Sequence, residues 1–162
     1  MRLAVVSDTH LPRGGRALPA RCLEELRAAD LILHAGDVVG AAFFAELQAL
    51  GPPVEAVHGN IDDERLRAAL PERRVVEAGG ARIGMVHDPG PRVGREERLV
   101  AAFPNCNAVV YGHTHIAEVE RHRGVWILNP GSPTERRRGP VHALIVVDVE
   151  GGAFEPRLIE LP

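Results

Sequence analysis

Short apolar runs that end at Gly, Pro or polar residues recur along this chain, and they constrain its fold more than any other feature. Such runs are typical of buried strands, and the clearest cover residues 3–6, 31–34, 54–57, 83–86 and 108–111. Segments with helical spacing of apolar residues lie between them, at residues 19–29, 41–50 and 95–103. This alternation of strands and helices predicts an α/β fold.

The pattern changes after residue 117. Apolar runs continue there, separated by Gly-rich turns but by no helical segment, at residues 117–121, 125–128, 141–147 and 154–161. We therefore expect the chain to end in antiparallel strands. A length of 162 residues fits a single domain spanning residues 1–162. The predicted architecture is two sheets packed together, with helices on their outer faces.

The cysteine content and the lengths of the apolar segments indicate the cellular compartment of the protein. The two cysteines, Cys22 and Cys106, lie in separate segments without a CxxC spacing, which indicates neither a disulfide framework nor a zinc knuckle. The apolar stretch at the N-terminus is too short for a signal peptide, and no segment is long enough to span a membrane. We expect a cytoplasmic protein with reduced thiols.

Charge and aromatic content disfavour a nucleic-acid partner. The net charge is −3, and an aromatic content of 4% leaves few rings to stack on bases, which also disfavours a nuclease. Every basic residue is Arg, and the one basic cluster is Glu135-Arg136-Arg137-Arg138. That run is either a solvated loop or a loop that faces a phosphate. The sequence is also compatible with a homo-oligomer.

Side chains of the types that bind metals are concentrated in five short segments, each of which follows a predicted strand or includes its last residues. In α/β folds, binding sites form at the carboxyl ends of strands, where the loops converge. The segments are Ser7-Asp8-Thr9-His10, Gly36-Asp37, Gly59-Asn60, His87-Asp88 and Gly112-His113-Thr114-His115.

The spacing within these segments suits convergence on an ion. Asp8 and His10 are two residues apart, as are His113 and His115, so in an extended backbone each pair would point the same way. Gly36, Gly59 and Gly112 each precede a candidate ligand, where the missing Cβ permits a tight turn and a close backbone approach.

Any one of these segments could be an ordinary turn, but all of them together indicate a metal centre. A structural explanation would require seven metal-competent residues to lie at strand ends for unrelated reasons. Four imidazoles, two carboxylates and an amide suit Mn, Fe, Co, Ni or Zn better than Mg or Ca, with Mn the first expectation.

The ordered set Asp-x-His, Gly-Asp-x-x-Gly, Gly-Asn, His and Gly-His-x-His resembles the calcineurin-like metallophosphoesterase superfamily. The small size and the segment Asn129-Pro130-Gly131-Ser132 are similar to its compact bacterial and archaeal phosphodiesterases, to which the retromer subunit Vps29 is related. The resemblance implies a four-layer α-β-β-α sandwich of two mixed sheets flanked by helices.

The resemblance also implies a dinuclear centre of two divalent transition-metal ions. Asp37 would bridge the ions, and Asp37, Asn60 and His87 would take part in catalysis. A hydroxide bound by the two ions would attack a small phosphate ester. The first ion would be held by Asp8, His10, Asp37 and His115, and the second by Asp37, Asn60, His87 and His113.

Two positions depart from the superfamily pattern. His87 is followed by Asp88, where many relatives have Gly-His, and Asp88 is a partial substitute for the missing group. Ile61 stands where many superfamily phosphatases have a His that is usually assigned to protonating the leaving group. An isoleucine cannot supply that proton.

Several residues near the predicted ligands have two interpretations each. His34 and His58 either pack as structural histidines or orient a ligand. Asp62 either caps a helix over residues 63–70 or is a partner to the site. Asn129 and Ser132 form a turn that is expected to support the site.

The sequence thus predicts a metal-dependent phosphoesterase, and within that class a phosphodiesterase. The alternative is a non-catalytic interaction scaffold similar to Vps29. The complete set of candidate ligands argues against the scaffold, which has no reason to retain them.

Overall fold

The computed structural model describes residues 1–162, which form four helices and ten strands. The helices are α1 (Ala20–Arg27), α2 (Ala41–Gln48), α3 (Glu64–Ala69) and α4 (Arg95–Ala102). The strands are β1 (Arg2–Val6), β2 (Leu31–His34), β3 (Val54–Ala56), β4 (Arg73–Ala78), β5 (Ala81–Val86), β6 (Ala108–Val110), β7 (Glu118–His122), β8 (Val125–Asn129), β9 (His142–Glu150) and β10 (Ala153–Leu161).

The strands form two five-stranded mixed sheets. The first has the order β10-β9-β1-β2-β3, in which β1, β2 and β3 are parallel and β9 is antiparallel to its neighbours. The second has the order β4-β5-β6-β8-β7, in which β5, β6 and β8 are parallel. In both sheets the parallel strands are adjacent to one another, and β3 forms an edge of the first sheet. Their sequences are short and mostly apolar, as is typical of parallel strands.

Three apolar clusters separate four layers. A cluster of 18 buried residues, including Leu33 and Ile83, lies between the two sheets. A second cluster packs α1, α2 and α3 on the outer face of the first sheet through residues such as Leu26 and Leu47. The third packs Leu99 of α4 on the second sheet. The predicted α-β-β-α sandwich is confirmed.

Strand β4 is the one strand that the sequence pattern did not predict. It lies at an edge of its sheet and begins with two arginines, so its burial alternates instead of forming a continuous apolar run. An edge strand is bonded on one side only and tolerates such a sequence. None of the four helices is long and apolar enough to cross a membrane.

Candidate metal centre

The candidate ligands meet where the parallel strands of both sheets end. Asp8, Asp37 and Asn60 follow β1, β2 and β3 of the first sheet, and His87 and His113 follow β5 and β6 of the second. The four histidines form two perpendicular pairs. The ring centroids of His10 and His115 lie 4.9 Å apart, and those of His87 and His113 lie 5.3 Å apart.

The Asp8 carboxylate has one oxygen held by the protein and one directed at imidazoles. Its Oδ2 accepts hydrogen bonds from the Ser7 hydroxyl at 2.6 Å and from the backbone N–H of His113 at 2.9 Å. Its Oδ1 lies 3.2 Å from Nε2 of His115 and 3.8 Å from Nε2 of His10. The free oxygen therefore faces the first histidine pair.

Asp37 is arranged in the same way but faces both pairs. Its Oδ1 accepts the backbone N–H of Ile61 at 3.0 Å. Its Oδ2 lies 3.4 Å from Nε2 of His10 and 3.3 Å from Nε2 of His87. One oxygen of Asp37 thus lies between one imidazole of each pair, which is the position that a bridging carboxylate requires.

Three of the imidazoles have Nδ1 atoms that face oxygens outside the set of candidate ligands. Nδ1 of His87 lies 2.8 Å from the carbonyl oxygen of Ala35. Nδ1 of His10 lies 2.6 Å from a carboxylate oxygen of Glu135, and Nδ1 of His115 lies 2.5 Å from the carbonyl oxygen of that same residue. This pattern orients a histidine so that Nε2 is available to a metal.

Glu135 is a site residue that sequence reasoning missed. It stood at the start of the basic run, and the only signal that pointed to it was its closeness to the Asn129–Ser132 turn. Its carboxylate also lies 3.5 Å from a guanidinium nitrogen of Arg16 and 3.7 Å from one of Arg137. Burial would raise the pKa of Glu135, but the positive charges of His10, Arg137 and Arg16 together outweigh that effect and lower it.

The site is buried on one side and open on the other. The side chains of Asp8, His10 and His115 are wholly inaccessible to solvent, and Asp37 and His87 are nearly so. Asn60 and His113 are exposed. Oδ1 of Asn60 lies 3.1 Å from Nε2 of His87 and 3.0 Å from Nδ1 of His113. A substrate can therefore approach only along the Asn60–His113 edge.

The donor atoms fit divalent transition-metal ions. Oδ1 of Asp8 and Nε2 of both His10 and His115 are buried without a hydrogen-bond partner, which is costly unless an ion satisfies them. Ligand atoms within 4.8 Å of one another form two buried triads, Asp8–His10–His115 and Asp8–Asp37–His87. Nitrogen and oxygen atoms about 2.0–2.2 Å from one ion would be about 3–3.5 Å apart. Oδ1 of Asp8 lies 3.2 Å from Nε2 of His115 and 3.8 Å from Nε2 of His10, which is close to that spacing.

In the metal-free protein, protons on nearby imidazoles balance the negative charge of the Asp8 and Asp37 carboxylates. Burial would raise the pKa of Asp8 and Asp37, but the adjacent imidazoles, of which His10 contributes most, outweigh it and lower both. Burial would lower the pKa of His10, but the adjacent carboxylates of Asp37 and Asp8 raise it to about 9. The pKa of His87 is raised against its burial by Asp37. Metal ions must displace these protons, so binding is expected to strengthen as pH rises.

The prediction that each His-containing pair lies in extended backbone is wrong. Asp8, His10, His113 and His115 all have positive φ, between 49° and 69°, as does Asp37 at 56°. Side chains other than Gly occupy this left-handed region at an energetic cost, and such positions concentrate at functional sites. The pairs converge from left-handed turns just beyond the strands.

The glycines that precede candidate ligands permit the close approach of backbone to neighbouring side chains that the sequence predicted. A Cβ on Gly36 would lie 2.7 Å from Nδ1 of His87. A Cβ on Gly59 would overlap the Asp37 side chain, and one on Gly112 would lie 2.8 Å from Oδ2 of Asp8. Any side chain at these positions would push the loops apart.

Asp62 is a partner to the site, and its interpretation as a helix cap is wrong. The neighbouring Asp63 caps α3 by accepting the N–H of Leu66. Asp62 instead accepts the backbone N–H groups of Val39 and Gly59, each at 2.6 Å. It therefore ties the loop that carries Asp37 to the loop that carries Asn60.

His34 and His58 contact no candidate ligand side chain. His34 is fully buried, and its Nδ1 accepts a hydrogen bond from the N–H of Gly36 at 3.2 Å. Nε2 therefore carries the proton, and it donates a hydrogen bond to the Thr9 hydroxyl at 3.1 Å. It braces two ligand loops, one through the backbone N–H of Gly36 and the other through the side chain of Thr9. Nδ1 of His58 lies 3.2 Å from the carbonyl oxygen of Gly59.

The Asn129–Ser132 turn supports the ligand loops. Asn129 donates from its side chain to the carbonyl oxygen of Gly112 at 3.2 Å, and the Ser132 hydroxyl donates to the carbonyl oxygen of Asp8 at 2.7 Å. Asp88, in contrast, does not join the cluster. It is exposed, and its carboxylate accepts the N–H of Gly90.

Two cavities flank the open edge. One of about 270 Å³ is lined by His58, Asn60 and His87 together with Gly59, Arg67, Glu72, Val86 and Asp88. The other, of about 710 Å³, is lined by His113 together with Arg92, Arg95, Tyr111, Thr114, Ile116, Glu118, Arg137 and Arg138. Arg137 and Arg138 of the basic run thus face a cavity beside a candidate ligand.

Comparisons with known proteins agree with this fold and identify a family. The profile of the calcineurin-like phosphoesterase superfamily domain matches residues 1–152. A probable metallophosphoesterase of Methanocaldococcus jannaschii is 34% identical over 164 residues, which cover 99% of this chain and 82% of that protein.

Solved structures share the fold. Wild-type Vps29 of Entamoeba histolytica, solved in complex with Zn²⁺, has a TM-score of 0.77 at 23% identity and 99% coverage of both chains. An archaeal phosphodiesterase has a TM-score of 0.74 at 22% identity, covering 98% of this chain and 100% of its own.

Proposed function

This chain belongs to the calcineurin-like phosphoesterase superfamily, and we propose that it is a phosphodiesterase that hydrolyses a small phosphate ester with two divalent transition-metal ions. The observation that carries the proposal is the arrangement of two perpendicular imidazole pairs around two buried carboxylates. Each carboxylate has one oxygen held by protein donors and the other free to face the imidazoles.

In this proposal Asp37 is shared between the two ions. The remaining ligands divide as the histidine pairs do, with Asp8, His10 and His115 on the buried ion and Asn60, His87 and His113 on the ion at the open edge. Two bound ions would supply Lewis acidity toward a phosphoryl oxygen and would lower the pKa of a bound water molecule. Mn is the first candidate, with Ni, Co, Fe and Zn as the others.

The protein's own residues set the direction of approach and the type of ester. The exposed Asn60–His113 edge admits the phosphate group, while the buried side excludes solvent. Ile61 cannot protonate a departing oxygen, and its role toward the site is limited to the backbone N–H that holds Asp37. This favours diesters whose leaving groups depart without a proton.

The alternative is a non-catalytic interaction scaffold like Vps29. Similarity of fold at 23% identity does not distinguish a scaffold from an enzyme. The convergence of all seven candidate ligands supports turnover, because a scaffold that binds only through its surface does not need buried, unsatisfied donor atoms.

The test is reconstitution of metal-stripped protein with Mn, Co, Ni, Zn or Mg, followed by assays on bis(p-nitrophenyl) phosphate, p-nitrophenyl phosphate, alkyl monoesters and cyclic nucleotides. We expect Mn, Co or Ni to restore diester hydrolysis better than Mg. His87→Ala should remove the activity, whereas His122→Ala, a histidine of β7 outside the cluster, should keep it. Full activity in rigorously stripped protein, or no turnover with any metal, would show that the proposal is wrong.

A further inference from the structure

The cavity of about 710 Å³ beside His113 brings together arginines from two loops that are distant in sequence. Arg92 and Arg95 come from the connection between β5 and α4 and from the first turn of α4, and Arg137 and Arg138 come from the β8–β9 loop. The volume lies within the range of small-molecule sites. His113 and Thr114, at the open edge of the candidate metal centre, form part of the same wall.

The residues that line the cavity carry a net positive charge. Four guanidinium groups face one carboxylate, Glu118, which leaves a net charge of about +3 when His113 is neutral. Glu118 is engaged by the Tyr111 hydroxyl, which donates to it at 2.5 Å.

Most of these guanidinium groups lack an anionic partner. Arg92, Arg95 and Arg138 form no ion pair within the chain, and Arg137 has only a 3.7 Å contact to Glu135. Nε of Arg95 is buried without a hydrogen-bond partner. Like charges that converge without an anion are unfavourable, and an anion that accepts their hydrogen bonds would remove that cost.

We infer that this arginine cavity binds a second phosphate group of the substrate, while the ester phosphate lies at the adjacent Asn60–His113 edge. The inference rests on the proposed phosphodiesterase function and narrows it to small esters that carry a further phosphate, such as phosphorylated nucleosides. Guanidinium groups suit this ligand, because their paired donors match phosphate oxygens. The shared residue His113 makes the cavity and the metal edge one continuous surface.

Two substrates that differ only in the second phosphate test the inference. They are the p-nitrophenyl ester of thymidine 5′-phosphate and the same ester with an added 3′-phosphate, and the readout is the ratio of their kcat/KM values. In the wild-type protein we expect the 3′-phosphate to raise kcat/KM about tenfold or more. The ratio should fall about tenfold in Arg138→Ala and in Arg92→Ala.

Arg136→Ala is the matched control. Arg136 lies in the same loop and its removal changes the net charge equally, but it does not line the cavity. Its ratio should equal that of the wild type. Because Arg92 and Arg138 lie on different loops, a shared effect cannot come from distortion of one loop. A wild-type ratio near one, or a ratio unchanged in both cavity variants, would overturn the inference.

A binding measurement separates this inference from the proposed function. Calorimetry on the same proteins would compare thymidine 3′,5′-bisphosphate with thymidine 5′-monophosphate. If neither ester is hydrolysed but the bisphosphate binds about tenfold more tightly in an Arg138-dependent way, the function fails and the cavity assignment stands. Equal binding of the two nucleotides would overturn the assignment. Inorganic phosphate that binds as tightly as the bisphosphate would also overturn it, by assigning the cavity to free phosphate.

Discussion

Removing the Asp62 carboxylate should weaken both the fold and metal binding. Asp62 is only 5% exposed, and its two oxygens accept the N–H groups of Val39 and Gly59 at 2.6 Å each. Val39 has a φ of 91°, which is strained for a β-branched residue. The carboxylate therefore holds the Asp37 loop in a strained conformation and fixes its distance to the Asn60 loop.

The expected size of the effect follows from these two bonds. A hydrogen bond to a charged group contributes about 1.5–3 kcal/mol. Asp62→Asn keeps one accepting oxygen and should lower the free energy of unfolding by about 2 kcal/mol, and Asp62→Ala by about 3–5 kcal/mol. Loss of residues that orient ligand loops typically weakens metal binding about 10- to 100-fold. We expect a loss of that size in Asp62→Asn.

Asp63→Ala is the control for this experiment. Asp63 also accepts two backbone N–H groups, at 2.9 Å from Ala41 and 2.8 Å from Leu66, but these lie at the starts of α2 and α3. Urea denaturation of metal-free protein would give stability, and competition with a chromophoric chelator would give metal affinity. Both variants should be less stable, and only Asp62→Asn should bind metal more weakly. Unchanged metal affinity in Asp62→Asn, or an equal loss in Asp63→Ala, would refute the reasoning.

Three further predictions concern neighbouring residues. Asp37→Asn should lose more bound metal and more activity than Asp8→Asn, because Oδ2 of Asp37 lies near one imidazole of each pair; equal metal content by mass spectrometry and equal rates would contradict a bridging role. Ile61→His should raise hydrolysis of alkyl esters far more than of nitrophenyl esters, by up to about 10²–10⁴-fold, and an equal response of both would disprove the link to leaving-group protonation. Burial lowers the pKa of His34 to about 4. The free energy of unfolding should therefore be highest above the unfolded-state pKa of 6.5 and should fall by about 3 kcal/mol as the pH is lowered toward 4. An NMR titration of metal-free protein that places His34 near 6.5 would contradict this.

The sequence could predict the strands and helices because their signals are local. Strand β2 was predicted with its observed bounds, and β1, β3, β5 and β6 within two residues at either end. The glycines before the candidate ligands were also interpreted correctly, since a missing Cβ has a direct consequence for its own turn. Edge strand β4 was missed because it has one bonded neighbour and no continuous apolar run.

The contacts that complete the candidate site could not be predicted, because they join segments far apart in the chain. Glu135 contacts His10 although 125 positions of sequence separate them. It belongs to the site because the β8–β9 loop lies beside the segment that follows β1. The choice between Asp62 and Asp63 as the cap of α3 depended on which carboxylate faced Val39 and Gly59.

By itself, the sequence determined the α/β alternation and the chemical identity of the donor groups, because both depend on residue type and short-range spacing. Only the tertiary structure determined the directions in which the candidate metal ligands point. Left-handed turns at Asp8, His10 and Asp37 replace the extended backbone that their spacing suggested. A loop of the second sheet and the loop that connects the two sheets bring Arg92 and Arg138 to one cavity. These features depend on the order of strands and on close packing between layers, which local sequence does not encode.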